Sequence, residues 1–322
     1  MGSHYARPMM RGRLITLTAM LTLASVGNSV AGAQQPPVAS FKASVDIVRV
    51  AAVVRDHKGR FVQDLNARDF EILDSGHPRA IADFRNDTAG VSVAVLFDIS
   101  GSMEGRLPNA REAATHVLSW LDETRDEAAI FTFDTELQEV TPFTTGLKTL
   151  PDSMNRVVPF GATSLHDAIA QTARRVGDRE GRRRAVVVLT DGADTTSHMS
   201  PSDVSAIASE IDVPVYIFGI VPSIDNPSDD KATNSVARSA LGGALADLAE
   251  WTGGHAFVAS TPAQRSVAAR QIIDELRHQY LIAFESSGRP GWHPLVVRAR
   301  NKDLIVRARS GYLAGQSSPT SF

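Results

Sequence analysis

Through the middle of the chain, apolar runs alternate with segments of helical period. Residues 91–97 are almost continuously apolar and stop at Asp98, a pattern that suits a central parallel strand covered on both faces. Similar strand-like runs occur at 128–133, 185–189, 213–220 and, briefly, 257–258. Between them, residues 108–123, 163–176, 201–210, 241–252 and 264–279 carry apolar positions at helical spacing. Pro108 falls in a first turn, where a missing N–H costs little, and Gly253-Gly254 is a stop signal. Strands that alternate with helices predict an α/β fold, a doubly wound and mostly parallel sheet of Rossmann type, over residues 90–284.

Both ends of this region change to a β pattern. Residues 41–54, 70–73 and 80–84 read as short strands, separated by turns at Asp56-His57-Lys58-Gly59-Arg60 and Asp74-Ser75-Gly76-His77-Pro78. Beyond the last helix, 280–284, 294–300 and 303–309 return to β, with Asn301-Lys302 as the turn of a hairpin. Segments 41–88 and 285–313 are each too short to bury a core alone. They are expected to pair into one accessory β unit, with the α/β domain inserted between its halves. Residues 221–240 read as a polar excursion, and 314–322 as a disordered tail.

The first 33 residues have a different character. Arg7, Arg11 and Arg13 precede an uncharged run from 14 to 26, and Ala31-Gly32-Ala33 completes an A-x-A pattern. That is the layout of a secretory signal peptide cleaved after Ala33, followed by a 34–40 linker; the apolar run is short for a spanning helix. The expectation is an exported protein, periplasmic or secreted, with no membrane span after cleavage. The chain has no cysteine. Thiol catalysis, disulfide scaffolds and cysteine-based metal sites are therefore excluded. A net charge of −3 supplies no global basic field for nucleic acid.

The candidate chemistry lies at predicted strand ends. Asp98-Ile99-Ser100-Gly101-Ser102 puts a carboxylate and two hydroxyls on one strand-to-helix loop. Thr163 stands at a helix start and Asp191 at the end of another strand. A parallel sheet gathers such loops at the carboxyl ends of its strands. All five side chains offer hard oxygens, which favour Mg²⁺, Mn²⁺ or Ca²⁺ over Zn²⁺ or copper; Mg²⁺ or Mn²⁺ is expected ahead of Ca²⁺. Glu104, Asp167 and Asp194 are near these motifs and read as solvated or loop-bonding groups. His166 has no nucleophile accompanying it and reads as a packed or rim residue. The cluster Arg174, Arg175, Arg179, Arg182, Arg183 and Arg184 reads as a solvated face near a helix C-terminus.

The motifs D-x-S-G-S at 98–102, G-A-T-S-L-H-D-A at 161–168 and V-V-L-T-D-G at 187–192 resemble the von Willebrand factor type A domain. The chain from 41 to 313 is similar to secreted bacterial relatives of that domain. The Asp56…Gly76 segment, Glu275 to Phe284 and Val306 to Tyr312 carry this wider likeness. The resemblance implies a metal-ion-dependent adhesion site. Ser100, Ser102 and Thr163 would ligate directly, and Asp98 and Asp191 directly or through water. A carboxylate, Asp or Glu, from a protein partner would complete the shell. The function implied is that of an exported binding or adhesion module with no catalytic residues. Two alternatives stay open: a Mg²⁺-dependent phosphohydrolase, and a scaffold in a periplasmic or cell-surface assembly.

Overall fold

A computed structural model describes residues 46–86, 89–179, 181–210, 212–221, 241 and 243–314. The expected signal peptide, the 34–40 linker, residues 222–240 of the polar excursion and residues 315–322 of the tail lie outside the described residues.

The central sheet is built from β5 (Val91–Asp98), β6 (Glu127–Phe133), β7 (Leu137–Thr145), β8 (Arg183–Thr190), β9 (Val215–Gly219) and β10 (Ala256–Val258). Its order is β10-β9-β8-β5-β6-β7. Every pair is parallel except β6–β7, which is antiparallel. All eight residues of β5 and all five of β9 are buried, because helices cover both faces. Helices α1 (Leu107–Ser119) and α5 (Pro262–Arg277) pack on one face against Val91, Val93, Val95 and Phe97. Helices α2 (Leu165–Gly177), α3 (Pro201–Glu210) and α4 (Gly243–Trp251) cover Ala94 and Leu96 on the other. The alternation along β5 thus feeds two separate cores, the layout of a doubly wound sheet.

Local signals account for the helix ends. α5 begins with a capping box, in which Thr261 accepts from the N–H of Gln264 and the Gln264 side chain returns to the Thr261 N–H; Pro262 follows in the first turn. α2 buries Leu165, Ala168, Ile169, Ala173 and Val176, a helical stripe.

The remaining strands form two four-stranded sheets. One is ordered β13-β1-β11-β4, from Leu304–Ala308, Ile47–Asp56, Gln279–Glu285 and Ile81–Arg85; the other is β14-β12-β2-β3, from Gly311–Ala314, Gly291–Ala299, Phe70–Asp74 and His77–Arg79. They share a core of Val50, Ala52, Val54, Phe70, Ile72, Tyr280, Ile282, Phe284, Leu295 and Tyr312. Phe70, Phe84 and Tyr280 meet with ring centroids 5.2–5.6 Å apart. Ser75 and Gly76 both have positive φ, 52° and 80°, the geometry a two-residue hairpin between β2 and β3 requires.

Three expectations change. Residues 294–309 do not close as a hairpin: β12 pairs with β2 and β14, and β13 pairs with β1 in the other sheet. Apolar faces on both segments are satisfied better across a shared core than by pairing with each other. The strand at 280–284, expected at the end of the α/β domain, is β11 and lies between β1 and β4. Ala314, expected in a disordered tail, ends β14 against Gly291.

The α/β layer and the accessory sheets are joined by ion pairs. Glu275 on α5, with a 1% exposed side chain, pairs with Arg55 of β1 at 3.0 Å and with Arg307 of β13. Burial pushes the Glu275 carboxyl upward, but Arg307 and Arg55 outweigh it and hold the group below its ordinary range.

Candidate metal centre

β5 delivers Asp98 to the carboxyl edge of the sheet between β6 and β8. Asp98 and Ser100 are both fully buried. The Ser100 N–H and hydroxyl donate to Asp98 Oδ1 at 2.9 and 2.6 Å. The Ser102 hydroxyl is 3.1 Å from that of Ser100. Thr190, the last residue of β8, donates its hydroxyl to Asp98 Oδ2 at 2.6 Å and accepts from the Gly192 N–H at 3.0 Å. A hydroxyl that gives its proton to a carboxylate keeps its oxygen lone pairs for a cation.

The electrostatics favour such a cation. Burial raises the Asp98 pKa, and the hydrogen bonds from Ser100 and Thr190 oppose this only in part; the negative charge of Asp191 raises it further. A desolvated carboxylate beside a second carboxylate and a row of hydroxyls is a donor set that a hard divalent ion fits. Among the described residues no cluster of three or more His, Asp or Glu could hold a metal ion. The candidate set has a different composition, two carboxylates and three hydroxyls.

Asp191 follows Thr190 directly. Its Oδ2 accepts from Arg106 Nη1 at 2.7 Å, and the same nitrogen donates to the Ser102 carbonyl at 2.6 Å. One guanidinium therefore ties the second carboxylate to the D-x-S-x-S loop.

Thr163, 2% exposed, sits on the loop entering α2. That loop is bonded to the first one: the Phe160 N–H donates to the Ile99 carbonyl at 2.9 Å and the Gly101 N–H to the Gly161 carbonyl at 3.1 Å. The Thr163 N–H donates to Thr195 Oγ1 at 2.9 Å, and its carbonyl accepts from Thr195 and Thr196. Backbone bonds thus join the loops of Ser100, Thr163 and residues 194–196, while side-chain bonds link Asp98, Ser100, Ser102 and Thr190 directly.

The neighbouring acids hold loops. Asp194 pairs with His166 and accepts from the Leu165 N–H at 3.2 Å. Asp167 accepts from the N–H groups of His198 and Met199 at 3.0 and 2.9 Å. Glu104 is exposed. Within the arginine cluster, Arg179 forks onto Glu127 at 2.7 and 2.8 Å and Arg175 reaches Glu139 at 3.0 Å. Arg184 caps the Gly177 carbonyl at 2.6 Å, a cation on the end of a helix.

Thr190 and Arg106 were not singled out from the sequence. Thr190 carried a signal, since it adjoins Asp191 at a strand end. Arg106 carried none, because its meeting with a residue 85 positions away depends on the fold.

The von Willebrand factor type A domain family matches residues 92–263, more than half of the chain, and the chain belongs to that family. Such domains commonly mediate protein interactions, are generally non-enzymatic, and bind a divalent metal at their adhesion site. None of the curated proteins compared matches the chain. Similar solved structures include an aerotolerance-related membrane protein from Bacteroides fragilis carrying multiple mutations to serine. It is 20% identical, with 58% of this chain and 98% of that one covered and a TM-score of 0.45. Proximal thread matrix protein 1 of the mussel byssus, with a zinc-occupied MIDAS motif, is 20% identical over 62% of this chain and 50% of that one, TM-score 0.43. A von Willebrand factor type A protein from Catenulispora acidiphila is 14% identical over 86% and 76%, TM-score 0.42. Among the described residues no helix is long and apolar enough to cross a membrane.

Proposed function

We propose that this chain is an exported protein-binding module whose site holds Mg²⁺ or Mn²⁺ and grips an acidic group on a protein partner. The hydroxyls of Ser100, Ser102 and Thr163 ligate the ion, and Asp98 and Asp191 compensate its charge directly or through water. Neutral hydroxyls leave part of the ion's charge unanswered, and Arg106 answers the charge of Asp191. A partner's Asp or Glu carboxylate then supplies the missing negative charge and an oxygen ligand. The ion supplies electrostatic attraction and a fixed coordination geometry, with no bond made or broken.

The observation that carries this reading is the buried Asp98, which accepts the protons of Ser100 and Thr190 at 2.6 Å each. The test is metal analysis of purified protein, followed by titration with Mg²⁺, Mn²⁺ and Ca²⁺ by calorimetry. Stoichiometric binding that Ser100→Ala abolishes is the expected result. Absence of binding by all three ions refutes the reading. The exported location is tested separately, by N-terminal sequencing of protein recovered outside the cytoplasm; a start at residue 34 is expected.

A further inference from the structure

The loop beside the metal centre carries an unexplained feature. Val158 and Phe160 are 78% and 79% exposed, the two most exposed large apolar side chains among the described residues. They are not on a free-swinging segment. The Val157 carbonyl accepts from Arg111 Nη2 at 3.3 Å, and Val157 itself packs on the α1–α5 core. The Phe160 N–H is bonded to Ile99, one residue before Ser100, and the Gly161 carbonyl to Gly101, one residue before Ser102. A phenyl ring held in water costs hydrophobic free energy, and the backbone that presents it is fastened to the D-x-S-x-S loop at two points.

We infer that Val158 and Phe160 form an apolar shelf of the binding site, and that the partner is a protein segment presenting Asp or Glu with a large apolar side chain one or two residues away. This rests on the metal-binding reading and adds the second half of the recognised motif. Charge complementarity selects the acidic group: the backbone that presents the shelf is bonded to the loop of Ser100 and Ser102, whose hydroxyls would hold the cation. Geometry sets the spacing. Chains bonded through their backbones run roughly 5 Å apart. An extended partner rises about 3.3 Å per residue, so a residue one or two places from the acid spans about the distance between the two bonded loops. Aromatic side chains in such positions commonly anchor interfaces.

The test uses the full chain and a phage-displayed library of random 12-residue peptides, panned in Mg²⁺ and eluted with chelator. Selected peptides are then synthesised and their affinity measured for the wild type, Phe160→Ser, Val158→Ser and Asp98→Asn. Both shelf residues are exposed, so their replacement leaves folding intact. The expected result is enrichment of Asp or Glu flanked within two positions by Phe, Leu, Ile or Met. Binding to Phe160→Ser should be at least tenfold weaker, and its Mg²⁺ affinity by calorimetry unchanged. Acidic peptides without apolar neighbours, bound equally by wild type and Phe160→Ser, overturn the shelf and leave the metal site standing. Failure of the wild type to bind Mg²⁺ overturns both, and calorimetry alone reveals it. Absence of any chelator-eluted peptide from protein that does bind Mg²⁺ overturns the shelf.

Discussion

Replacing Asp98 by Asn should reverse the stability order of the two proteins according to whether metal is present. Without metal, ionised Asp98 is a buried carboxylate whose charge is disfavoured by desolvation and by Asp191, and its three hydrogen bonds do not fully offset this. Its folded pKa is raised above the ordinary 3.8. The native state then binds its proton more tightly than the unfolded chain does, so metal-free stability falls as pH rises from 3.8 through the raised value. Asn has the same shape and no charge, and the Thr190 hydroxyl can turn from donor to acceptor. Metal-free Asp98→Asn should therefore equal or exceed the wild type in stability at neutral pH. A saturating ion inverts the order. At a hundredfold excess over Kd it stabilises the wild type by about 2.7 kcal/mol. For a protein of this size that is roughly 4–5 °C in Tm. The variant, without its buried carboxylate, should gain almost nothing. Thermal melts in chelator and in Mg²⁺ at pH 7, with a pH series in chelator, measure all of these. The reasoning is refuted if Asp98→Asn melts well below the wild type in chelator yet rises with Mg²⁺ by as much.

Arg106→Gln removes the guanidinium from Asp191 and leaves one more uncompensated negative charge at the site. Mg²⁺ should bind several-fold tighter by calorimetry, and weaker binding counts against the assigned charge balance. Glu275→Gln strips the buried carboxylate from Arg55 and Arg307. A loss of about 3–5 kcal/mol in urea unfolding is expected. Because the folded pKa of Glu275 is depressed, its contribution is complete above the ordinary 4.5 and disappears as pH falls below it through the depressed value; a wild-type profile without that acid loss contradicts the assignment. Gly254→Ala drives a Cβ to 2.0 Å from the Val215 carbonyl oxygen. Since backbone cannot retreat cheaply, soluble yield should collapse or stability fall by about 3 kcal/mol or more, and a variant that melts like the wild type refutes this close approach.

The doubly wound core was legible because its strands are buried on both faces, and double burial writes a continuous apolar run such as 91–97 into the chain. The D-x-S-G-S motif and Asp191 were legible because their position, at the ends of such runs, follows from the same pattern. Edge strands leave a weaker trace. β7 is half exposed, carries Pro142 and three threonines, and pairs antiparallel with β6, so no periodicity announced it. β14, four residues long, was equally silent.

Local residue pattern set the order of the α/β units, the closed helix ends and the oxygen-rich loops, since each depends on residues within a few positions of one another. Which accessory sheet each strand joins was set at long range: β4 and β11 share one and β2 and β12 the other, because pairing over some 200 residues is selected by a shared core. The packed fold also brought Thr190 onto Asp98 and Arg106 onto Asp191, and left Phe160 exposed on a backbone bonded to Ile99. Such contacts follow from where the packed sheet points its loops, which local propensity does not encode.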